Sequence, residues 1–166
     1  MKMCLRRVHI VAYLLYISGH FLDAYNNSFD NYDAITGDSV PFEDCGSKYN
    51  IIFLSVSCCN KIPCLMQRGT NAMVKVSFSD EDDNASFLKH RVLWIFNAIK
   101  TEADITPDPC ENQKGCINMN NGSKSYWALI HVDNALPILS GTMLWQVVDE
   151  NNQQTICFKV PIAIIT

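Results

Sequence analysis

The sequence has little positive charge and few of the residues that mark disordered chains. Thirteen lysines and arginines stand against seventeen acidic residues, for a net charge of −4 and a pI near 5.4. Such a chain offers no positive field to a phosphate backbone, so we expect no nucleic-acid partner. With seven glycines, six prolines and 48% hydrophobic residues, the composition excludes collagen-like and wholly disordered chains.

Long amphipathic helices and recognisable catalytic motifs are also missing. No Ser, Cys or carboxylate motif of the hydrolase type accompanies the histidines, so we do not expect an enzyme. His90 and His131 are too few for a metal site, and we expect both at strand surfaces. The acidic stretch 80–84 lacks the alternating ligands of a calcium loop and is interpreted as a solvated turn. The sequence thus predicts neither a metal nor a cofactor.

The first 24 residues have the pattern of a secretory signal peptide. Lys2, Arg6 and Arg7 precede an apolar run over residues 8–19. Polar residues at 20 and 23 interrupt this segment before it reaches the roughly 20 apolar residues of a membrane-spanning helix. No later apolar run of about 18 residues follows. We therefore predict a secreted, extracellular protein without stable membrane insertion. The lumen of the endosome–lysosome system is a second location to which such a protein can be delivered.

Eight cysteines are many for 166 residues, and export makes them candidates for disulfides. Removal of Cys4 with the signal leaves seven, so three bridges and one free thiol is the simplest count, with intermolecular pairing as the alternative. Cys58 is interpreted as a buried spare thiol, the alternative being a dimer link. Sequons begin at Asn26, Asn84 and Asn121, and their placement in loops supports glycosylation.

Short strands separated by turn signals dominate the rest of the chain. Residues 25–39 form a polar, turn-rich segment that we predict to be a flexible leader, and residues 40–166 form one domain. The runs with strand character are 51–56, 73–78, 92–99, 126–132, 142–148 and 156–165. Six or seven strands at this spacing predict an all-β antiparallel sandwich or barrel.

Two of these runs are apolar on both faces instead of alternating. They are Val92–Phe96 and Met143–Val148. A covered outer face, a partner surface, an internal cavity and ordinary packing would each produce this pattern. Periodicity alone does not choose among them.

The cysteine spacing and its flanking residues resemble the MD-2-related lipid-recognition (ML) family. The resemblance spans residues 42–165. Its cysteine motifs are Asp44-Cys45-Gly46-Ser47-Lys48, Cys59 with four residues before Cys64, Cys110 with five residues before Cys116, and Cys157 ahead of Val160-Pro161-Ile162. Between them stand Arg68-Gly69 and Met143-Leu144-Trp145. It implies bridges Cys45–Cys157, Cys59–Cys64 and Cys110–Cys116. It also implies an immunoglobulin-like β-sandwich of about seven strands in two antiparallel sheets.

Members of this family hold a lipid between the sheets, so the resemblance implies a secreted carrier of a sterol, fatty acid or similar small lipid. A membrane lipid transporter or receptor is an implied partner, and we expect a monomer. The alternative is a co-receptor module for innate-immune lipid recognition. The residues expected to line the cavity are Phe53, Leu54, Val74, Val76, Phe78, Ile95, Ile130, Val132, Leu136, Pro137, Trp145 and Val147.

Two positions depart from the pattern of the family's sterol carriers. Leu136 stands where an aromatic residue is usual beside Pro137 at the mouth. Glu102 aligns with an expected aromatic pocket residue, where a carboxylate either serves a polar ligand end at the portal or points to solvent. These departures weaken the case for cholesterol itself and leave lipid binding as the prediction.

Overall fold

The computed structural model describes residues 39–57, 59–79, 88–106, 118–120 and 123–166. The predicted signal peptide, the leader up to residue 38 and all three sequon asparagines (Asn26, Asn84 and Asn121) lie outside the described residues. So do Cys58, Cys110 and Cys116. The predictions made for those residues therefore stay predictions.

The described residues form strands and turns, and they contain no helix. The strands are β1 Glu43–Asp44, β2 Asn50–Val56, β3 Cys64–Gln67, β4 Thr70–Ser79, β5 Leu88–Phe96, β6 Ile99–Glu102, β7 Ile105–Thr106, β8 Asn118–Asn120, β9 Ser123–Val132, β10 Ser140–Asp149 and β11 Gln154–Ile165. Six of the eleven have seven or more residues, and each of them contains most or all of one predicted run. The all-β prediction is confirmed.

These strands make two sheets. The first has the order β1-β11-β10-β5-β6, with β3 also paired to β11, and the second has the order β2-β4-β9-β7, with β8 also paired to β9. Among the described strands, every pairing is antiparallel except that of β3 with β11, which is parallel and matches Cys64 to Ile162. The expected two-sheet sandwich is therefore confirmed, with one parallel edge strand that periodicity did not indicate.

One predicted strand is too long at its C-terminal end. The run 92–99 ends at Phe96, because Asn97 has a positive φ of 53° and turns the chain back. An L-residue rarely adopts this left-handed conformation, but Asn tolerates it. Ile99 then begins β6, which pairs antiparallel with β5.

The inner faces of both sheets supply the core. Along β4, Ala72, Val74, Val76 and Phe78 are buried, while the residues between them are only half-buried. The same period of two runs along β9 and β10. Each large apolar side chain buried in this way contributes about 1.5–3 kcal/mol of transfer free energy, so the alternation is the main source of cohesion between the sheets.

The Asp-Cys-Gly-Ser motif fastens β1 to β11. The Asp44 carboxylate accepts hydrogen bonds from the N–H groups of Gly46 and Ser47, each at 2.8 Å. Gly46 has a φ of 104°, which favours glycine. The Ser47 hydroxyl accepts from the N–H of Cys157 at 2.9 Å and donates to its carbonyl at 3.1 Å. Asp44, Gly46 and Ser47 therefore each help to fix the backbone beside the Cys45–Cys157 bridge.

Two of the three implied disulfides fall on described residues, and both are present. Cys45 bonds to Cys157 across a sequence separation of 112, and Cys59 bonds to Cys64 across a separation of 5. The first joins the beginning of the described domain to its last strand. The second closes the short loop that leads into β3.

We expect the long bridge to stabilise the domain more than the short one. In the chain-entropy model, a loop of about 100 residues is worth about 4.7 kcal/mol, whereas a loop of about six residues is worth about 2 kcal/mol. The double variant Cys45→Ser/Cys157→Ser should therefore lose more unfolding free energy than the matched Cys59→Ser/Cys64→Ser, as measured by urea denaturation under oxidising conditions. Equal losses would contradict the loop-length argument.

Asp44 makes the stability of this motif depend on pH. Its limited burial alone would raise the pKa of the carboxyl, but the hydrogen bonds from Ser47 and Gly46 outweigh burial and lower the pKa below the usual 3.8. A carboxyl with a lowered folded pKa stabilises the fold above its unfolded pKa, and this contribution is lost as pH falls through the folded value.

We accordingly expect wild type to be more stable than Asp44→Asn at neutral pH, and the difference to narrow as pH falls below about 3.8. Urea denaturation of both proteins across a pH series measures this difference. A gap that stays constant down to the lowest pH would show that the charge of Asp44 is not what stabilises the turn.

Candidate functional site

Nine of the twelve predicted lining residues lie in the interior between the sheets. All nine are at most 4% exposed. They come from β2, β4 and β9 of the second sheet, from β10 of the first, and from the loop after β9: Leu54, Val74, Val76, Phe78, Ile130, Val132, Leu136, Trp145 and Val147. They share one apolar interior, and their contact with a ligand stays a prediction.

Phe53 and Ile95 face away from that interior, which corrects their predicted inward position. The register of β2 against β4 shifts between Ile51 and Phe53, so the extra residue Ile52 moves Phe53 off the inner face. Leu54 then faces inward opposite Val76. Ile95 is half-buried between the buried Trp94 and Phe96 and therefore lies on the outer face of β5.

Pro137 is a third departure from the predicted lining. It is exposed in the loop between β9 and β10, whereas its neighbour Leu136 is 4% exposed. The turn around Arg68 and Gly69 contacts the same loop: the Gly69 N–H donates to the Val132 carbonyl at 2.7 Å, and Arg68 Nη1 donates to the carbonyl of Asn134 at 3.1 Å. We call this part of the molecule the Leu136 end.

His90 is buried, so the surface position predicted for it is wrong. It is only 6% exposed and lies on the inner face of β5, in step with the buried Leu88 and Val92. Counting back by two from Val92 would have placed it inward. His131, by contrast, is half-buried, and its Nδ1 lies 3.0 Å from Oδ1 of Asn71.

Aromatic rings connect the two sheets at the other end of the sandwich. His90, Tyr126 and Trp145 form what we call the ring cluster: the imidazole centroid is 4.6 Å from that of Tyr126 and 6.0 Å from that of Trp145. Phe78 lies 6.1 Å from Tyr126, and Phe158 lies 5.9 Å from Trp145. Because these rings come from both sheets, they hold the sheets in contact at this end.

The interior therefore differs between its two ends. Tyr126 and Val132 both face inward and are six residues apart on β9, which corresponds to roughly 20 Å along a strand. Between the ring cluster and the Leu136 end, the inner face of the second sheet has small and aliphatic residues such as Ala72, Ala128 and Ile130. His90 and Tyr126, whose side chains can form hydrogen bonds, lie in the ring cluster at the far end from Leu136. On the first sheet, the buried rings of Trp94 and Phe96 lie toward the Leu136 end, where β5 ends beside the start of β10.

Glu102 takes no part in this interior. It is exposed on the edge strand β6, with its carboxylate 3.3 Å from Nε of Arg91. The two side chains are 65% and 56% exposed, so this ion pair contributes little to stability. The arrangement favours the interpretation that Glu102 faces solvent.

The described residues hold no group of three or more His, Cys, Asp and Glu placed to bind a metal ion. In the same part of the chain, no helix is long and apolar enough to cross a bilayer.

Two facing sheets with apolar inner faces define the class as a β-sandwich, and the Cys45–Cys157 disulfide joins the segment after β1 to β11 within the first sheet. A family model described as ML domain matches residues 39–164. This chain therefore belongs to the ML domain family, and the family resemblance inferred from the cysteine spacing is confirmed.

Individual relatives agree with this assignment. The chain is 28% identical over 127 residues to NPC intracellular cholesterol transporter 2 of Mus musculus, a match that covers 74% of this chain and 83% of the mouse protein. The protein of the same name from Bos taurus is 29% identical over 127 residues, with 75% and 85% covered. A Niemann-Pick type C2 protein from Japanese carpenter ant matches in fold, with a TM-score of 0.63, 20% identity, and 75% and 99% of the two chains covered.

The assigned faces of β2 predict different costs for two neighbouring truncations. Leu54→Ala removes a fully buried side chain and should cost about 2–5 kcal/mol of unfolding free energy. Phe53→Ala removes a larger but half-buried side chain from the outer face and should cost less. Urea denaturation of both variants measures the difference, and a larger loss for Phe53→Ala would place Phe53 in the core after all.

Proposed function

We propose that this chain is a secreted carrier that holds one sterol, fatty acid or similar small lipid between its two sheets and transfers it. The supporting observation is that the inner faces of both sheets are apolar, in a member of the ML domain family. Its relatives from mouse and cattle are named as cholesterol transporters. For this chain, a sterol and a fatty acid are both candidate ligands, because Leu136 and Glu102 depart from the sterol-carrier pattern.

The driving force for such a carrier is the hydrophobic effect. Removing apolar lipid surface from water is worth about 25 cal/mol per Å². The inward residues of β4 and β9, and those of β10 as far as Val147, offer an environment without charged side chains. To admit a ligand, the sheets must separate where rings do not hold them together. We therefore propose entry at the Leu136 end, opposite the ring cluster.

Binding and release are the whole of the proposed activity. The buried side chains classed as polar or charged among the described residues are His90, Asp149 and Thr155. Asp149 accepts hydrogen bonds from the N–H groups of Asn151 and Gln153, each at 2.8 Å, and Thr155 donates to the carbonyl of Val147 at 3.2 Å. Asp149 and Thr155 therefore stabilise the fold. The three buried side chains do not include a nucleophile beside a base.

The proposed location follows from the signal-like N-terminus and the two disulfides. Disulfides persist in oxidising compartments, which supports export and allows later delivery to the endosome–lysosome lumen. The proposed partners are the lipid itself and a membrane lipid transporter or receptor. We expect the carrier to act as a monomer.

A second candidate function, a co-receptor in innate-immune lipid recognition, is favoured by exposed apolar side chains around the end of β11. Leu65, Ile138, Leu139 and Ile165 are between 36% and 54% exposed. They are neighbours because β3 pairs with the end of β11, and the Ile164 N–H donates to the carbonyl of Leu139 at 3.0 Å. A stable protein partner that is lost on replacing Leu65 and Ile138 by Ser would favour this function.

The carrier function is tested by incubating the purified mature protein with a panel of sterols and fatty acids and recording native mass spectra. We expect a one-to-one complex with at least one lipid. If no lipid of either class binds, the carrier proposal is wrong.

Two neighbouring substitutions localise the bound lipid. Ala128 is buried on the inner face of β9, so Ala128→Phe should fill the proposed site and weaken binding about tenfold or more. Leu129 is half-buried on the opposite face, so Leu129→Phe should leave binding unchanged. Equal affinities for the two variants, with both folded by circular dichroism, would show that the lipid does not lie between the sheets.

A further inference from the structure

The indole N–H of Trp145 is a hydrogen-bond donor buried inside the sandwich. Trp145 has no solvent exposure, and its Nε1 has no hydrogen-bond partner. Buried donors in native proteins are nearly always paired, so an unpaired one calls for an explanation. Its position on the inner face of β10, in step with Met143 and Val147, places it in the same interior as the proposed lipid.

The position of this donor is fixed by its neighbours. The Trp145 ring stacks on Phe158, with centroids 5.9 Å apart and planes at 10°, and on Tyr126, with centroids 6.0 Å apart and planes at 27°. A ring stacked on one neighbour from each sheet cannot turn freely to reach another acceptor. The N–H is therefore held ready for a group that arrives with a ligand.

The surroundings restrict what that group is. An indole N–H donates only, so the ligand must bring an acceptor. No Lys or Arg is among the buried residues of the described chain, and His90, with its centroid 6.0 Å from that of Trp145, is the one basic side chain buried there. Burying a carboxylate without a paired charge is far more costly than burying a carbonyl, so a neutral acceptor suits this site.

We propose that Trp145 donates a hydrogen bond to an uncharged carbonyl oxygen of the bound lipid, which gives the chain a preference for lipids with a ketone, aldehyde or ester at their buried end. This inference rests on the proposed carrier function and specifies its ligand class. The carbonyl would enter first and lie in the ring cluster, roughly 20 Å along β9 from the Leu136 end. The aliphatic part of the lipid would then lie against residues such as Ile130 and Val74.

The test compares a long-chain methyl ketone with the alkane of the same carbon number, by competition against a fluorescent fatty acid. In wild type, the ratio of ketone affinity to alkane affinity should be about tenfold higher than in Trp145→Phe, which keeps a ring and removes the donor. The matched control is Trp94→Phe, a buried indole on the same sheet near the other end, which should keep the wild-type ratio. The same ratio in wild type and Trp145→Phe would overturn the inference.

A second measurement observes the Trp145 N–H directly. The protein has three tryptophans, so ¹⁵N-labelled wild type should show three indole N–H signals by NMR, and the signal missing from Trp145→Phe belongs to Trp145. We expect that signal to move downfield on binding the ketone and to stay in place on binding the alkane. If the N–H instead donates to the face of the His90 ring, neither ligand will move it in this way, and the inference is wrong.

Including palmitic acid in the competition separates a charged acceptor from a neutral one. If wild type binds the acid more tightly than the ketone, and Trp145→Phe loses this preference, the group that accepts from Trp145 is a carboxylate. That result would overturn the proposed ligand class of uncharged carbonyl lipids. If none of these lipids binds, the carrier function itself fails. That outcome differs from the case in which lipids bind but the ketone has no advantage.

Discussion

The structure depends on the burial of one apolar face of each sheet against the other. A single sheet with Val74, Val76 and Phe78 on one face would expose that face to water, and the facing β10 and β11 have the same requirement. Opposing the two sheets satisfies both requirements at once. Because this attraction is non-directional and scales with the apolar area removed from water, contact with an apolar ligand can replace part of the contact between the sheets.

Directional interactions decide where the sheets stay together. The ring cluster joins Trp145 and His90 of the first sheet to Tyr126 of the second, so the two sheets are held at a set spacing there. At the edge of the first sheet, the Cys45–Cys157 bridge and the hydrogen bonds of Ser47 fasten β1 to β11. At the Leu136 end, the Arg68–Asn134 contact lies in the loops, and none of the ring contacts described above joins the two sheets, which is why we place entry there.

These constraints make the two ends of the interior chemically different. The aliphatic side chains of the second sheet toward Leu136 suit a hydrocarbon, while the ring cluster contains the unpaired N–H of Trp145. In a carrier built in this way, the polar group of the lipid that reaches the ring cluster decides which lipid binds, because aliphatic side chains accept most hydrocarbons alike. Hydrogen-bond selectivity at one end and tolerance along the rest are compatible, because the hydrophobic contribution scales with area and the hydrogen bond with geometry.

Alternation and cysteine spacing determined much of this architecture from sequence alone: the six long strands, the two described bridges implied by the family resemblance, and the inward position of residues such as Val76 and Val147. Tertiary structure decided the rest. The bulge that turns Phe53 outward depends on how β2 pairs with β4, and the pairing of β3 with β11 joins segments far apart in the chain. The environment of His90 depends on rings from β9 and β10, because contacts between strands are set by register across the sheets, which local pattern does not encode.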